Sequence, residues 1–388
     1  DFPQTNDTAA ADNIDEEYLL NLYVKSSYNS CHQKTFKEGY VSLDALEYVM
    51  KRNVRFLDFE IYSINNMPVV AVSYTKDGLL KGSYNDIPLL DVLNKVQQIN
   101  TDTIETEDPL FINLRIKTRQ VSVVNQIGKI ISKTVGPYLY SGGGGSSGTE
   151  GKDGFVADSK STYLLTGKPG GFWDYKGHKS ECKNVNCDLG RLQYKNIKKK
   201  VIILVDCIYS IVTKAKDLEE VAHVCYSIDK EDHDKWREPN QPTTLQFAGG
   251  FNENFKAYRD DGGSNCVTKA STNRETTPVL TVLFPSGEST ECNPIQYFKN
   301  LDASNYLCYF MGINFVAMCW SEKLKHGTAL YTYEQLFSRD SQNGGTYEKT
   351  KPSYGIVKMD SANAKVPASL KYESQVRPTP PPDSYNLN

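Results

Sequence analysis

The sequence has little net charge and no long apolar run. Its 44 Lys and Arg residues nearly balance its 47 Asp and Glu residues, which leaves a formal net charge of −3 over 388 residues. A chain so balanced has no general electrostatic attraction to nucleic acid or to an anionic membrane. A membrane-spanning helix needs ~20 consecutive apolar residues, and no stretch approaches that length. We therefore expect neither a nucleic-acid partner nor a membrane span.

Cysteine is sparse and odd in number. Nine cysteines are spread over the whole chain, whereas a small disulfide scaffold shows a dense, even set. This pattern favours reduced thiols in a cytosol-like compartment. Cys182 and Cys187 form the only close pair in the sequence, with His178 nearby. A zinc site would need a second pair, so we expect ordinary loop cysteines there.

Composition divides the chain into five segments. The acidic beginning and the proline-rich ending predict extended tails, and "SGGGGSSGTEGKDG" predicts a flexible linker between two halves. We predict a disordered acidic arm (1–16), a first half (17–140), a Gly-rich linker (141–154), a second half (155–362) and a Pro-rich tail (363–388).

Strand-like and helix-like segments alternate between these tails. "KKVIILVDC" is the kind of apolar run that parallel sheets bury on both faces. "SLDALEYVMKRN" predicts a helix with Ser42 as its N-cap, and "DLEEVAHVCYSI" and "NPIQYFKNLDASNYLCYF" are further helical candidates. Roughly eight strand candidates predict an α/β fold of the (β/α)₈ TIM-barrel type. A doubly wound sheet is the alternative, although no Gly-rich phosphate fingerprint follows the first strand.

The stretch "VRFLDFEIY" carries two acids on an apolar strand. Side chains alternate along a strand, so Asp58 and Glu60 share one face with Phe56 and Tyr62. An unpaired buried charge is strongly unfavourable. The stretch therefore predicts a metal ion or a basic side chain beside the two acids, or water if this face is an exposed edge.

Several motifs resemble one known family in order and spacing. The segments "SSYNSC", "RFLDFEIY", "PVVAVSYT", "IPLLDVLNKV" and "DPLFINLRI" resemble the X half of eukaryotic-type phosphoinositide-specific phospholipase C. The segments "LFPSGESTECNPIQYF", "GINFVAMCW" and "YGIVKM" resemble its Y half. The resemblance covers most of residues 18–360. It implies a distorted TIM barrel that cleaves phosphoinositides with two catalytic His residues and a calcium ion.

The resemblance also implies that the catalytic machinery is degenerate. The two catalytic His positions fall on Tyr28 and Ser73, and the Arg before the family's "YP" falls on Val282. The stretch from Leu204 to Asp206, where the family has phosphate-binding lysines, contains none. Losing a general acid–base pair removes several orders of magnitude in rate.

Of the family's metal ligands, the Asn is kept as Asn29 and the acid pair as Asp58 and Glu60. The later Glu position is Arg115. Arginine is protonated at any ordinary pH, so it brings a fixed positive charge to the calcium position. Our hypothesis is that the Arg115 guanidinium takes the place of the metal and pairs with Asp58, Glu60 or both.

These observations favour a non-catalytic barrel of this type. We expect a binding or structural component of a larger assembly, in the cytoplasm or in a virion, with protein partners and no cofactor. The missing basic residues make lipid-headgroup binding unfavourable. The alternative is a phosphoric diester hydrolase in which Asn29, Asp58 and Glu60 hold calcium and His32 or Tyr28 is the acid–base group.

Overall fold

The computed structural model describes the chain in separate ranges of residues. The predicted linker and Pro-rich tail, the Cys182–Cys187 pair and the helix predicted for "NPIQYFKNLDASNYLCYF" lie outside the described residues. The description begins at Ile14, within the predicted arm, in a 3-10 helix (Ile14–Glu16). The described ranges are 14–33, 39–73, 81–102, 106–140, 192–207, 209–212, 214–226, 244–245, 255–260, 280–285, 313–321, 328–337 and 353–359.

The described strands belong to one sheet. In chain order they are β1 (Leu22–Ser27), β2 (Phe56–Ile64), β3 (Met67–Ala71), β4 (Ile87–Pro88), β5 (Leu110–Ile116), β6 (Val201–Asp206), β7 (Val224–Tyr226), β8 (Thr244–Leu245), β9 (Phe255–Asp260), β10 (Leu280–Pro285), β11 (Phe315–Met318) and β12 (Ile356–Lys358). The apolar run "KKVIILVDC", predicted as a buried strand, forms β6.

Eight of these strands are parallel neighbours. Their spatial order is β7-β6-β5-β2-β1-β11-β10-β9. Strands therefore follow one another in chain order, and β11 returns to pair with β1. Pairing between β7 and β9 would close this path into a ring, but it is absent from the described part of the chain. The mixed α/β content is as predicted, and a complete eight-stranded barrel remains a proposal.

The described helices are α1 (Leu43–Lys51), α2 (Leu89–Asp102), α3 (Val121–Thr134), α4 (Tyr194–Ile197), α5 (Tyr209–Val212), α6 (Lys216–Val221) and α7 (Ala329–Leu336). The Oγ of Ser42 accepts a hydrogen bond from the Asp44 N–H at 3.0 Å, so it caps α1 as predicted. Among the described residues, no helix has both the length and the apolar character to cross a bilayer.

One local prediction is wrong. The helix predicted for "DLEEVAHVCYSI" stops at Val221, and the next residues form β7, because Val224–Tyr226 extends the parallel sheet beside β6. The turn between β2 and β3 is short. β2 continues to Ile64 and pairs there with Met67, so only Asn65 and Asn66 form the turn, with φ of 51° and 59°. Asn tolerates this left-handed backbone, which suits a two-residue hairpin.

Three aromatic side chains of β2, β5 and β11 pack together on one face of the sheet. The rings of Phe56 and Phe111 lie 5.1 and 5.2 Å from the ring of Phe315, centroid to centroid. All three are fully buried. Because alternate residues of a strand share a face, Asp58 and Asn113 follow Phe56 and Phe111 on the same side of β2 and β5. Asp58 and Asn113 therefore form a polar layer next to these rings, towards the carboxyl ends of the strands.

Candidate functional site

Register places the acids beside Arg115. In the parallel pairing of β2 with β5, Asp58 lies opposite Asn113 and Glu60 lies opposite Arg115. Partners in adjacent parallel strands point to the same face, so all four side chains meet in one layer. Asp58, Glu60, Asn113 and Arg115 are each at most 2% exposed. The acid pair is therefore not an exposed edge, and Arg115 contacts both acids.

Every N–H of the Arg115 guanidinium has an acceptor. A guanidinium has five N–H donors. The Nε–H donates to Asp58 Oδ1 at 2.9 Å, and Nη2 donates to Asp58 Oδ2 at 2.6 Å and to Asn29 Oδ1 at 2.8 Å. Nη1 donates to Glu60 Oε1 at 2.6 Å and to the Tyr28 hydroxyl at 3.4 Å. No donor of this side chain is left for a ligand.

Asp58 is saturated as well. Its Oδ1 also accepts from Asn113 Nδ2 at 2.8 Å, and its Oδ2 from the Asn29 N–H at 3.0 Å. Asn29 has a left-handed backbone (φ 46°) in the turn after β1. This turn brings both the amide and the side chain of Asn29 into the site. With the two bonds from Arg115, Asp58 accepts four hydrogen bonds.

Glu60 also accepts four hydrogen bonds. Besides Arg115, its Oε1 accepts from Ser73 Oγ at 3.1 Å. Its Oε2 accepts from the Tyr62 hydroxyl at 3.1 Å and from the Ser73 N–H at 2.5 Å. Ser73, predicted as a degenerate catalytic position, therefore donates to Glu60 with both its hydroxyl and its amide.

Aromatic rings contact the guanidinium. The Cζ of Arg115 lies 4.5 Å from the ring centroid of Tyr28 and 5.6 Å from that of Phe284, within the range of cation–π attraction. Tyr28, the other degenerate catalytic position, thus contacts Arg115 with both its ring and its hydroxyl. Val282, two residues before Phe284 on β10, is fully buried.

At this site charge pairing shifts the pKa values of Arg115 and Glu60 more than burial does. Burial alone acts to lower the pKa of Arg115, but Asp58 and the other neighbours hold that pKa well above its ordinary value. Burial acts to raise the pKa of Glu60, and the Arg115 charge overcomes it and keeps the pKa below its usual range. The geometry therefore stabilises a guanidinium cation facing ionised Glu60.

The calcium ion implied by the sequence resemblance does not fit these residues as they stand. Calcium takes about six to eight oxygen ligands. The side-chain oxygens of Asn29, Asp58 and Glu60 that converge here already accept hydrogen bonds from Arg115. The described residues contain no group of three or more His, Cys, Asp or Glu side chains arranged for a metal ion.

His32 takes no part in the acid–arginine network. It follows Asn29 in the same turn, is buried, and its amide donates to the Asn29 carbonyl at 2.8 Å. Among the described residues, no hydrogen bond of Asp58, Glu60 or Arg115 involves its imidazole. The displaced acid–base role considered for His32 is therefore not supported by contacts to the acids.

Sequence reasoning missed Asn113, Tyr62 as a hydrogen-bond donor, and Asp206. Asn113 precedes Arg115 by two residues, so strand alternation could have placed it on the same face. Asp206 is 4% exposed and lies opposite Arg115 in the pairing of β5 with β6. The sequence resemblance points to this stretch only for its missing lysines, so it gives no sign of a third acid opposite Arg115.

Comparisons with known proteins give similarities at low identity. No protein-family profile matches the chain, and no curated protein matches it. The chain is similar to the crystal structure of L. pealei PLC21, with TM-score 0.49 and 12% identity, over 89% of this chain and 37% of that one. It thus spans little more than a third of that protein.

Two bacterial structures are also similar. One is a calcium-dependent phosphoinositol-specific phospholipase C from Pseudomonas sp, with TM-score 0.47 and 10% identity, over 90% of this chain and 98% of that one. The other is a phosphatidylinositol-specific phospholipase C from Listeria monocytogenes, with TM-score 0.41 and 10% identity, over 86% and 96% of the two chains. The site is accordingly interpreted from its own geometry.

Proposed function

We propose that this chain is a non-catalytic barrel of the phosphoinositide phospholipase C type that serves as a binding or structural component of a larger assembly, such as a virion. One observation carries the proposal. The guanidinium of Arg115 donates all five of its N–H groups to Asn29, Asp58, Glu60 and Tyr28. All N–H donors of this guanidinium are therefore used within the chain, and none is available to a ligand.

A closed network is unsuited to acid–base chemistry. A general base must reach the proton that it removes, either directly or through one water molecule. Both acids are buried, and each accepts four hydrogen bonds from within the chain. Tyr28 and Ser73 stand where the sequence resemblance implies imidazoles, and both hydroxyls are bonded to the network.

The network is equally unsuited to holding a phosphate. Anion recognition by arginine depends on free N–H donors, and Arg115 has none left. Lysines of the basic stretch 195–200, just before β6, are also paired with acids. Lys195 contacts Glu16 at 2.7 Å, and Lys198 contacts Asp15 at 2.6 Å. These pairings support a role other than binding a lipid headgroup.

The test is a joint measurement of hydrolysis and calcium binding on the full chain. Purified protein is incubated with phosphatidylinositol vesicles and excess calcium, and a calcium titration is followed by calorimetry. We expect no inositol phosphate and no saturable heat. Hydrolysis, or calcium binding that Glu60→Ala abolishes and Glu47→Ala retains, would establish the alternative of a phosphodiesterase with altered catalytic residues. Glu47 is a suitable control because it is a surface acid on α1, paired with Lys51 and Lys95.

The assembly role needs a separate experiment. Cross-linking of the protein in its native source, followed by mass spectrometry, should give reproducible cross-links to defined protein partners. A protein that is recovered without cross-links to any other chain would contradict the assembly role, and it would leave the conclusion about catalysis untouched.

A further inference from the structure

The imidazole of His223 connects β6 with Tyr140. It lies between α6 and β7 and is 1% exposed. Its Nδ1 accepts the Ile203 N–H at 2.9 Å, and its Nε2–H donates to the Tyr140 carbonyl at 2.7 Å. Its own backbone N–H donates to the Ile203 carbonyl at 2.9 Å. The side chain therefore supplies an acceptor to β6 where a neighbouring strand would normally do so.

These two bonds require a neutral ring. A neutral imidazole has one nitrogen that donates and one that accepts, and here both are in use. A second proton would have to sit on Nδ1, where it would point at the Ile203 N–H. Two donors would then face each other inside a buried site, and the bond between His223 and β6 would be lost.

The hydrogen bonds of His223 lie where residues 139–140 contact the start of β6, and this contact is called the junction below. Tyr140 is the last described residue before residues 141–191, and β6 begins shortly after that segment. The Tyr140 N–H donates to the Val201 carbonyl at 3.0 Å, and Leu139 forms a parallel bridge with Val201. His223 holds the other side of this junction through the Tyr140 carbonyl. The ring thus adds a second attachment between the end of the first half of the chain and β6, beside the backbone contacts to Val201.

We propose that His223 is an acid-sensitive latch, whose neutral imidazole bridges Ile203 of β6 and Tyr140 and whose protonation breaks the bond to β6. The latch is independent of the Arg115 network and of the function proposed for it. Opening would release the Ile203 N–H, whereas Nε2–H would still donate to the Tyr140 carbonyl.

The surroundings of the ring support this behaviour. Burial lowers the pKa of His223 to about 4, against the smaller raising effects of its hydrogen bonds to Tyr140 and Ile203. Within the described residues no charged side chain contributes to this shift. The ionisable groups on the elements packed around the ring are Tyr140, Lys200 before β6, Asp206 at its far end, and Lys216, Asp217, Glu219 and Glu220 on α6.

The sign of the effect follows from this lowered pKa. In the open form the ring titrates near its ordinary value of 6.5, so it takes up a proton there first. The latch is therefore fully closed above about pH 6.5 and weakens as the pH falls towards 4. The ratio of closed to open forms should fall on the order of a hundredfold over that interval.

The test combines nitrogen NMR of the ring with hydrogen exchange of β6 in the full chain. At pH 7 we expect an unprotonated Nδ1, and on acidification we expect protonation and loss of Ile203 protection to share one midpoint. Protection factors are corrected for intrinsic pH dependence. Amides of β1 and β2 are the internal reference, because β5 separates these strands from β6. A ring protonated on Nδ1 at pH 7, or one that is protonated without loss of Ile203 protection, would overturn the proposal.

Two variants sharpen the test. His223→Asn retains an acceptor near the Nδ1 position, and His223→Gln retains a donor near the Nε2 position, but neither can titrate. Both should remove the acid-induced opening of β6. An unchanged midpoint in either variant would contradict the latch. If neither variant folds, the NMR and exchange measurements on the wild-type protein decide alone.

Discussion

Two buried arginines lie at opposite ends of the β2–β5 pair, and their surroundings differ sharply. Arg115, near the carboxyl end, has five acceptors, which include both acids of β2. Arg55, just before β2 at the amino end, is fully buried and donates one hydrogen bond, from Nη1 to Asn100 Oδ1 at 3.1 Å. Its Nε and Nη2 have no hydrogen-bond partner in the described structure.

The pKa values shift in opposite directions. Burial lowers the pKa of Arg55 to about 10, and Asp108 opposes this only in part. Asp108 instead accepts a hydrogen bond from the Tyr194 hydroxyl. At Arg115 the nearby acids overcome the same burial. Burying a guanidinium in this fold therefore does not by itself produce a saturated network, and the network around Arg115 is a specific property of the site.

The largest effect that tests this comparison is expected from Arg115→Met. Removing the cation leaves Asp58 and Glu60 buried without a cationic partner, which should lower the free energy of unfolding by about 3–5 kcal/mol. Arg55→Met removes a cation that lacks an ion pair, so it should cost far less. Urea unfolding at pH 7 measures both. Equal losses in the two variants would show that Arg115 holds the fold no more specifically than Arg55.

The same variant should invert the pH dependence of stability. In the wild-type protein the lowered pKa of Glu60 contributes stability that is complete above about pH 4.5 and is lost as the pH falls through the folded-state pKa. Without Arg115, burial favours the protonated acid, so the folded-state pKa of Glu60 rises. Arg115→Met should therefore regain stability relative to the wild type on acidification. A constant difference between the two pH profiles would contradict the charge pairing.

A smaller and conditional effect is expected from Arg115→Glu. The new carboxylate joins the oxygens of Asn29, Asp58 and Glu60, a hard-donor set suited to calcium. We expect this variant to be stabilised by calcium, by about 2.7 kcal/mol at a concentration 100 times the dissociation constant. Arg115→Gln, which adds no charge, is the matched control. A thermal midpoint of Arg115→Glu that is indifferent to calcium would show that the guanidinium does not occupy a cation position.

The parts of the fold that could be predicted are those decided by local pattern. The apolar run at β6 and the Ser42 cap of α1 can be recognised without knowledge of the neighbours. The contact between Arg115 and the acids could be inferred because strand alternation and the sequence resemblance placed them on one face. The roles assigned to these residues stay proposals.

What sequence could not supply depends on distant partners. The donor role of His223 involves the Tyr140 carbonyl, 83 residues away, and no local pattern encodes that pairing. β7 was predicted as helix because α6 continues towards it with similar composition, and only the neighbouring β6 decides the strand. The position of Asp206 opposite Arg115 likewise follows from the sheet register.

Around Arg55, at the amino end of the β2–β5 pair, we expect packing to contribute more to stability than charge. The variant Gly355→Ala tests this expectation. A Cβ at Gly355 would lie 2.7 Å from both the Asn53 carbonyl oxygen and Asp108 Oδ2, and it would also press on Arg55. We expect a loss of about 1–3 kcal/mol in the free energy of unfolding. Gly136→Ala is the control, since its Cβ would meet nothing nearer than 3.7 Å. Equal stability of both variants would show that this end of the fold can relax.

The smallest effect should come from trimming the network at its edge with Ser73→Ala. This change removes the 3.1 Å hydrogen bond from Ser73 Oγ to Glu60 Oε1, while the backbone N–H of residue 73 still donates to Oε2. One buried hydrogen bond to a charged group is worth about 1.5–3 kcal/mol, and the remaining bonds to Glu60 should reduce the loss to about 1 kcal/mol.

The matched control for Ser73→Ala is Ser63→Ala. It removes an exposed hydrogen bond of 2.8 Å to Gln120 and should be nearly neutral. A loss at residue 73 as large as that of Arg115→Met would mean that the hydroxyl, and not the guanidinium, holds Glu60 in its ionised state. That outcome would weaken the contrast between the two arginines, because Glu60 would then be stabilised at the edge of the network and the cation would be secondary.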